Sequence, residues 1–387
     1  MDFRFTPEQE QFRREVRRFL DETLPTDSAE VQGAEQPAQR LVFLRSFTQA
    51  LVRKGWLTLA WPREYGGMGA GPVLQAIYVE EMAYRNAPYR NQGVDRVGPT
   101  LMVYGTEEQK RQFLPPIARG EVTWCQGFSE PGAGSDLASL RTRAIRSGDE
   151  YVVNGQKIWT SHARYADWCI LLARTDPEAP KHRGISYFLV DMRSPGVTVR
   201  PLVNMAGRAE FCEVFFEDVH VPRDHLVGEE NRGWYVATTT LDFERSGIDR
   251  VVSGIRILDQ LMQLARETGD LRTRPALRQQ LAELKLEFEV GRLLAYRVAW
   301  MQERGLIPNA EASISKLFGS ELQQRLARVG MQMLGLASQL RPGSGWAPLA
   351  GRAPEYYLDT VALTIAAGTS EIQRNIIATR GVGLPRG

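Results

Sequence analysis

The chain has 387 residues, of which 43% are apolar and 24% charged, with a formal net charge of +2. That length provides a substantial core in two or three domains. The near-neutral charge argues against a dedicated nucleic-acid binder, which would carry a strongly basic face. No apolar run is long enough to cross a bilayer and Met1-Asp2 does not begin a signal peptide, so a cytoplasmic protein without membrane association is expected.

Cys125, Cys169 and Cys212 are odd in number and far apart, and the four histidines are scattered. This pattern fits a reducing compartment and predicts neither a disulfide framework nor a metal site.

In chain order, the first third reads as helices. Thr6, Pro7 and Gln9 form a capping box with proline at the first helical position, and Phe12, Val16, Phe19 and Leu20 then keep helical spacing. The basic cluster Arg13-Arg14-Glu15-Val16-Arg17-Arg18 reads as the solvated face of that helix. A second helix is expected over Leu41 to Lys54, stopping at Gly55, and a third from Val73 to Tyr84. Thr106 and Gln109 mark another capping box, for a helix ended by Pro115-Pro116.

From about Gly120 to Gly228, short runs rich in branched and aromatic residues read as strands, with Asn154-Gly155 as a hairpin turn. Frequent turns between them predict a compact antiparallel barrel or sandwich. Beyond Gly233 the chain is helical again. Leu277, Leu281, Leu284, Phe288, Val298 and Met301 mark one long element, and Ile314, Leu317, Leu322, Leu326 and Val329 another, as in a helical bundle. The expected domains are therefore residues 1–119 (helical), 120–232 (β) and 233–387 (helical), a multidomain α+β chain.

Ser129-Glu130-Pro131-Gly132-Ala133-Gly134-Ser135-Asp136 follows a strand-like run and reads as a turn with several small polar groups. It is not a dinucleotide fingerprint, because Leu137 stands where a third glycine is required. Together with Asn154-Gly155-Gln156-Lys157-Ile158-Trp159-Thr160-Ser161, Phe215-Phe216-Glu217-Asp218-Val219-His220-Val221-Pro222 and Gly368-Thr369-Ser370-Glu371-Ile372-Gln373-Arg374, it resembles the acyl-CoA dehydrogenase family over nearly the whole chain. The resemblance implies an N-terminal helical domain, a central β-barrel domain and a C-terminal helical bundle. It also implies FAD as cofactor, an acyl-CoA oxidised to its trans-2-enoyl form, an electron-transfer flavoprotein as acceptor, and a homotetramer or dimer.

By the same resemblance Gln126, Phe128, Ser129, Gly134, Ser135, Trp159, Thr160 and Ser161 line the flavin, with Ser135 also near the substrate's pantetheine. Gln332, Gly335, Thr369 and Glu371 complete the cofactor contacts, and Asp242, Arg245 and Gly368 join the substrate side. From its residues alone, Trp159 reads as a strand-borne core aromatic.

Most straight-chain members of the family carry their catalytic glutamate just before the last Gly-Thr, where this chain has Ala367. A subset carries it on the first long helix of the C-terminal domain, and Glu244 in Leu241-Asp242-Phe243-Glu244-Arg245 matches that position. The resemblance thus implies Glu244 as the base that takes the α-proton, flavin N5 as acceptor of the β-hydride, and the Ala367 N–H as a donor to the thioester carbonyl. Without the family context, Glu244 is an ordinary solvated helix carboxylate.

Two departures concern cofactor contacts across subunits. Leu271-Arg272-Thr273-Arg274-Pro275 replaces the family's Arg-Phe-Gly loop, and Leu336 replaces the second glycine after Gln332. They leave room for a hetero-oligomer. A flavin oxidase or monooxygenase on the same fold is the alternative activity, because fold does not fix function.

Overall fold

The structure, a computed structural model, describes residues 4–25, 37–243 and 247–385. The chain forms two compact units. One comprises Met1–Leu44, Ala70–Pro88 and Arg245–Gly387, and the other Arg45–Gly69 and Tyr89–Glu244. Helices α1 (Pro7–Thr23), α2 (Pro37–Lys54), α3 (Pro72–Tyr84), α4 (Gly98–Tyr104) and α5 (Glu107–Ala118) precede seven strands. These are β1 (Trp124–Gly127), β2 (Arg143–Ser147), β3 (Glu150–Ser161), β4 (Trp168–Arg174), β5 (Ile185–Asp191), β6 (Val197–Leu202) and β7 (Phe211–Pro222). They are followed by α6 (Gly233–Phe243), α7 (Ile248–Glu267), α8 (Asp270–Thr273), α9 (Pro275–Glu303), α10 (Asn309–Leu334), α11 (Arg352–Leu363) and α12 (Ser370–Ile376). The helix–sheet–helix order expected from the sequence is present.

The first unit is helical. Thr6 and Gln9 close both halves of the expected capping box on α1. The basic cluster on α1 is not wholly solvated, however. Arg13 is buried, with its guanidinium 2.7 Å from both Glu80 and Glu81 of α3 and 3.1 Å from the Tyr296 hydroxyl of α9. Burial opposes its charge, but Glu80, Tyr296 and Glu81 outweigh that and raise its pKa. A repeat of apolar positions does not reveal a cation placed inside by acids sixty-seven and sixty-eight residues away.

Close approach in the same unit depends on a glycine. A Cβ at Gly254 on α7 would come within 2.5 Å of the Phe288 ring on α9. On α10 the buried face differs from the expected stripe. Leu322 and Leu326 are buried, but they share that face with Ala312, Ser315, Lys316, Gly319 and Gln323, while Ile314 is exposed. Small side chains let neighbouring helices approach closely, which size-based periodicity overlooks.

The second unit is built on a curled seven-stranded sheet in the order β1-β4-β2-β3-β7-β6, with β5 also paired to β4. The expected antiparallel pairing holds for β2–β3, β3–β7, β4–β5 and β6–β7. The β1–β4 and β2–β4 pairs are parallel.

Two local expectations fail. Asn154-Gly155 is not a hairpin turn, because β3 runs unbroken from Glu150 to Ser161 and the pair lies at a register shift against β7. Asn154 instead braces the bulge, exchanging hydrogen bonds of 2.9 and 3.0 Å with Asp218. The hairpin turn lies earlier, at Gly148-Asp149, between paired Ser147 and Glu150. Likewise α5 does not end at Pro115-Pro116 but runs through them to Ala118, where the last turn closes by Arg119 N–H donating to the Pro115 carbonyl.

The three separated cysteines converge in the sheet interior. Cys125 and Cys169 are register partners across β1–β4, Cys212 lies opposite Thr160, and all three are free thiols without solvent exposure. The Cys169 neighbour and burial hold the Cys125 thiol well above its ordinary pKa. Among the described residues no helix is long and apolar enough to cross a membrane.

His225 sits edge-on to Phe113 and Trp168, with its Nδ1 3.1 Å from the Leu189 carbonyl. Burial lowers its pKa, with Asp224 opposing. The unfolded chain therefore takes up the proton first as the pH drops. Stability supplied by the neutral imidazole is complete above the ordinary histidine value of about 6.5 and is lost as the pH falls from there toward the lower folded value. Thermal unfolding between pH 7.5 and 5 should show this loss, and His225→Gln should flatten it. An unchanged slope in the variant would assign the pH dependence elsewhere.

Candidate active site

In the sheet unit, the predicted cofactor residues gather around the junction of β1 and β3. The Ile158 N–H donates to the Ser129 carbonyl at 2.9 Å, which fastens the 129–136 turn beside β3. Lys157, one residue earlier, is fully buried, and its Nζ donates to the Phe128 carbonyl at 3.1 Å and to Glu130 at 2.8 Å. Glu130 also accepts from the Arg141 and Thr142 N–H groups, at 2.7 and 2.8 Å.

Burial lowers the Lys157 ammonium to about 8 against the pull of Glu130. Glu130 stays below its usual carboxylate value because Lys157 and these donors outweigh its own burial. Both groups are charged at neutral pH, and the turn is anchored by a buried ion pair whose remaining hydrogen-bonding capacity is largely used.

The outer side of this junction is open. Trp159 has φ +60° and is 59% exposed, at the second register shift of β3, with its ring edge-on to Phe211. It is therefore not the core aromatic that its strand context alone predicts. A left-handed backbone is costly for a residue of this size and is a mark of a site held in place by its surroundings.

Ser161 lies two residues on and is half-buried, while Gly134 and Ser135 are exposed. Added Cβ atoms at Gly132 or Gly134 would meet nothing within 4 Å. An indole plate flanked by small hydroxyl residues and an open glycine turn suits a flat, hydrogen-bonding ring system, so these residues fit the isoalloxazine of FAD. Gln126 accepts from Arg96 at 2.7 Å at the end of β1.

Two of the predicted residues turn their side chains away from this open face. Thr160 is fully buried, and its Oγ1 has no partner among the described residues. The strand turns it inward between Trp159 and Ser161, so its hydroxyl does not face the ligand side. The Phe128 ring is also buried, edge-on to Tyr187, and Phe128 serves the turn through its backbone carbonyl.

In the helical unit, the predicted residues lie on the turn before α12 and at the end of α10. Ala367 has φ +53° and Gly368 +82°, and Thr369 caps α12 by accepting from the Ile372 N–H at 3.2 Å. Among the described residues the N–H groups of Ala367, Gly368 and Thr369 have no hydrogen-bond partner. Thr369 and Glu371 line an open cleft of about 840 Å³ of mixed charge, with Arg325, Arg328 and Arg374 beside Glu321, and Arg374 is paired to Glu321 at 2.6 Å and Arg325 to Glu287 at 2.6 Å.

Gln332 and Gly335 are exposed at the end of α10, and Gly335 has the glycine-only combination φ 57°, ψ −133°. Next to it Leu336 is 88% exposed. Arg274 donates to the Met333 carbonyl at 3.0 Å, so of the two arginines in the departed loop it is the one tied to this segment.

Asp242 falls in the last turn of α6, and Glu244 and Arg245 lie outside the described residues. Among the described residues no group of three or more histidine, cysteine or acidic side chains is placed to hold a metal ion. Lys157, Lys316 and Gln373 carry no site signal in the sequence, because lysines and glutamines on strand and helix faces ordinarily point to water.

Family models for the N-terminal, middle and C-terminal domains of acyl-CoA dehydrogenase match residues 6–121, 125–219 and 231–382. Over 400 residues the chain is 40% identical to acyl-CoA dehydrogenase FadE26 of Mycobacterium tuberculosis, covering 100% of this chain and 99% of that protein. Among solved structures it is similar to the Tcur3481-Tcur3483 steroid ACAD, at 37% identity, full coverage of both chains and a TM-score of 0.91. It is also similar to the ChsE4-ChsE5 complex from Mycobacterium tuberculosis, at 38% identity, full coverage and a TM-score of 0.90.

Because Trp159 is exposed and backbone-strained, its removal should affect the ligand more than the fold. Trp159→Gly relieves a left-handed cost of about 1–2 kcal/mol against a glycine entropy cost of about 0.5–1 kcal/mol. The cofactor-free protein should melt within a few degrees of wild type while its FAD dissociation constant rises by about tenfold. Equal FAD affinity in a well-folded variant would remove Trp159 from the cofactor face.

Proposed function

The chain belongs to the acyl-CoA dehydrogenase family of flavin-dependent oxidoreductases, and from that premise we propose that it desaturates an acyl-CoA thioester between Cα and Cβ, with Glu244 as the base. The observation that carries the reading is the turn at Ala367, where among the described residues the N–H groups of Ala367, Gly368 and Thr369 have no hydrogen-bond partner and the side chain is not an acid. An α-proton beside a thioester is weakly acidic, so it leaves only if the carbonyl is polarised as a carboxylate removes it. The Ala367 N–H supplies the donor for that carbonyl whatever its side chain. The carboxylate then has to come from elsewhere, and Glu244 is its proposed source, by the sequence resemblance of Leu241-Asp242-Phe243-Glu244-Arg245.

When bound, FAD supplies the two-electron acceptor that oxidation of the Cα–Cβ bond requires. Trp159, Ser161 and the 129–135 turn hold and orient it in this reading, while Lys157 and Glu130 keep the turn in place. The proposed onward acceptor is an electron-transfer flavoprotein.

The acyl group in this proposal is bulky and steroid-like, a choice supported by the full-length similarity to a steroid ACAD. Association with a second, different acyl-CoA dehydrogenase chain is proposed as well. The similarity to a two-component complex supports it, as does the exposed Leu336 in place of the family's second glycine.

Glu244→Gln should retain FAD and bind acyl-CoA, yet lose about 10²–10⁴-fold in the rate of anaerobic flavin reduction. Near-normal reduction would eliminate Glu244 as the base. Titrating the yellow enzyme with a panel of CoA thioesters should bleach the flavin fastest with polycyclic side-chain substrates. Preference for straight chains would overturn the substrate proposal, and rapid reaction of the reduced enzyme with oxygen would point to an oxidase.

A further inference from the structure

Lys316 lies on the buried face of α10, is 5% exposed, and has no carboxylate within 4 Å among the described residues. Its Nζ donates instead to a neutral acceptor, the Gly368 carbonyl, at 2.7 Å. Burying an ammonium against a single carbonyl is unfavourable. Desolvation, with Arg250 of α7 adding to it, lowers the group to about 8, while Glu321 and Glu371 pull the other way. Both acids also face Arg374, at 2.6 and 3.7 Å, so neither is reserved for Lys316. Among the described residues this buried cation has no dedicated counter-ion, which calls for a role beyond packing.

Ala367 and Gly368 of the turn it touches are held through their carbonyls. Gln373 Nε2 donates to the Ala367 carbonyl at 3.0 Å and approaches the Gly368 carbonyl at 3.4 Å. The Ser370 N–H donates to the Thr364 carbonyl at 2.9 Å, and the Ile372 N–H to Thr369 Oγ1. A Cβ at Gly368 would come within 2.6 Å of Gln373 Nε2, so the clamp also depends on that glycine. Among the described residues, the N–H groups of Ala367, Gly368 and Thr369 have no partner of their own. The left-handed φ of Ala367 is a strained choice that persists only if its surroundings fix it.

We propose that Lys316 is a positioning residue for the dehydrogenation: its buried ammonium, bound to the Gly368 carbonyl, locks the Ala367–Gly368 turn so that the Ala367 N–H is presented to the substrate's thioester carbonyl. The inference rests on the reading of that N–H as the carbonyl donor. Lys316 does not touch substrate in this scheme and takes no proton. It acts through the peptide it holds.

The test uses Lys316→Met in the FAD-loaded enzyme, with two readouts made together. Hydrogen exchange over residues 364–373 reports the turn itself, through the bonded Ser370 and Ile372 amides. Steady-state kinetics with an acyl-CoA reports its use. The expected result is faster exchange confined to that segment, with kcat lowered about tenfold and KM nearly unchanged, the loss of one charge-assisted hydrogen bond's worth of order. Unchanged exchange overturns Lys316 as the clamp and leaves the role of the Ala367 N–H standing. Faster exchange with unchanged kcat overturns the carbonyl-donor reading instead. Should Lys316→Met not be isolated with FAD bound, Lys316→Gln, which keeps a neutral donor, is read the same way with intermediate effects expected.

Discussion

Lys157 has no solvent exposure, and its ammonium is where the 129–136 turn is fastened to the sheet. The geometry around it is cooperative. Glu130 satisfies Lys157 and at the same time receives two backbone N–H groups from the segment entering β2. Removing either charge would leave the other buried and unpaired, which costs several kcal/mol, on the order of 3–5. The open side of the junction, with Trp159 and the glycine turn, can be polar and lightly packed because its underside is rigid. A precise ligand face on a short turn needs this kind of support from beneath.

Backbone strain marks one candidate functional residue in each unit, considered separately. Left-handed φ values also occur at Asn86, His162, Asp218 and Asn231, residue types that adopt them readily. Trp159 and Ala367 do not belong to that group, and one lies in the sheet unit and the other in the helical unit. At both, the backbone takes a conformation its side chain disfavours, and at Ala367 the side chains of Gln373 and Lys316 hold the neighbouring carbonyls. Leu349 and Ala350 share the feature without a chemical role that the surrounding groups suggest.

Much of the fold was legible because its local signals are strong. Capping boxes at Thr6 and Thr106 start helices as expected, and the long apolar repeat of α9 is buried at Leu277, Leu281, Leu284, Phe288 and Val298. What misled was chemistry that depends on distant partners. Asn154-Gly155 has turn composition, but Asp218 on β7 recruits it into a bulge. Arg13 and Lys316 sit at helical positions where a cation normally meets water, and only the acids of α3 or the turn before α12 explain them. The candidate site was legible as motifs, not as orientations. Motif membership does not tell that Trp159 faces out while Thr160 faces in, since that follows from the local register shift of β3.

The three cysteines have a practical side. All lie in the sheet unit, at zero exposure and without disulfides, and the helical unit contains none. The native thiols are therefore a label-free clock for one half of the molecule. A thiol reagent reacts only when the sheet interior opens and stays silent through any loosening of the helices. The chain can thus report which of its two units yields first under heat or denaturant, without an engineered probe.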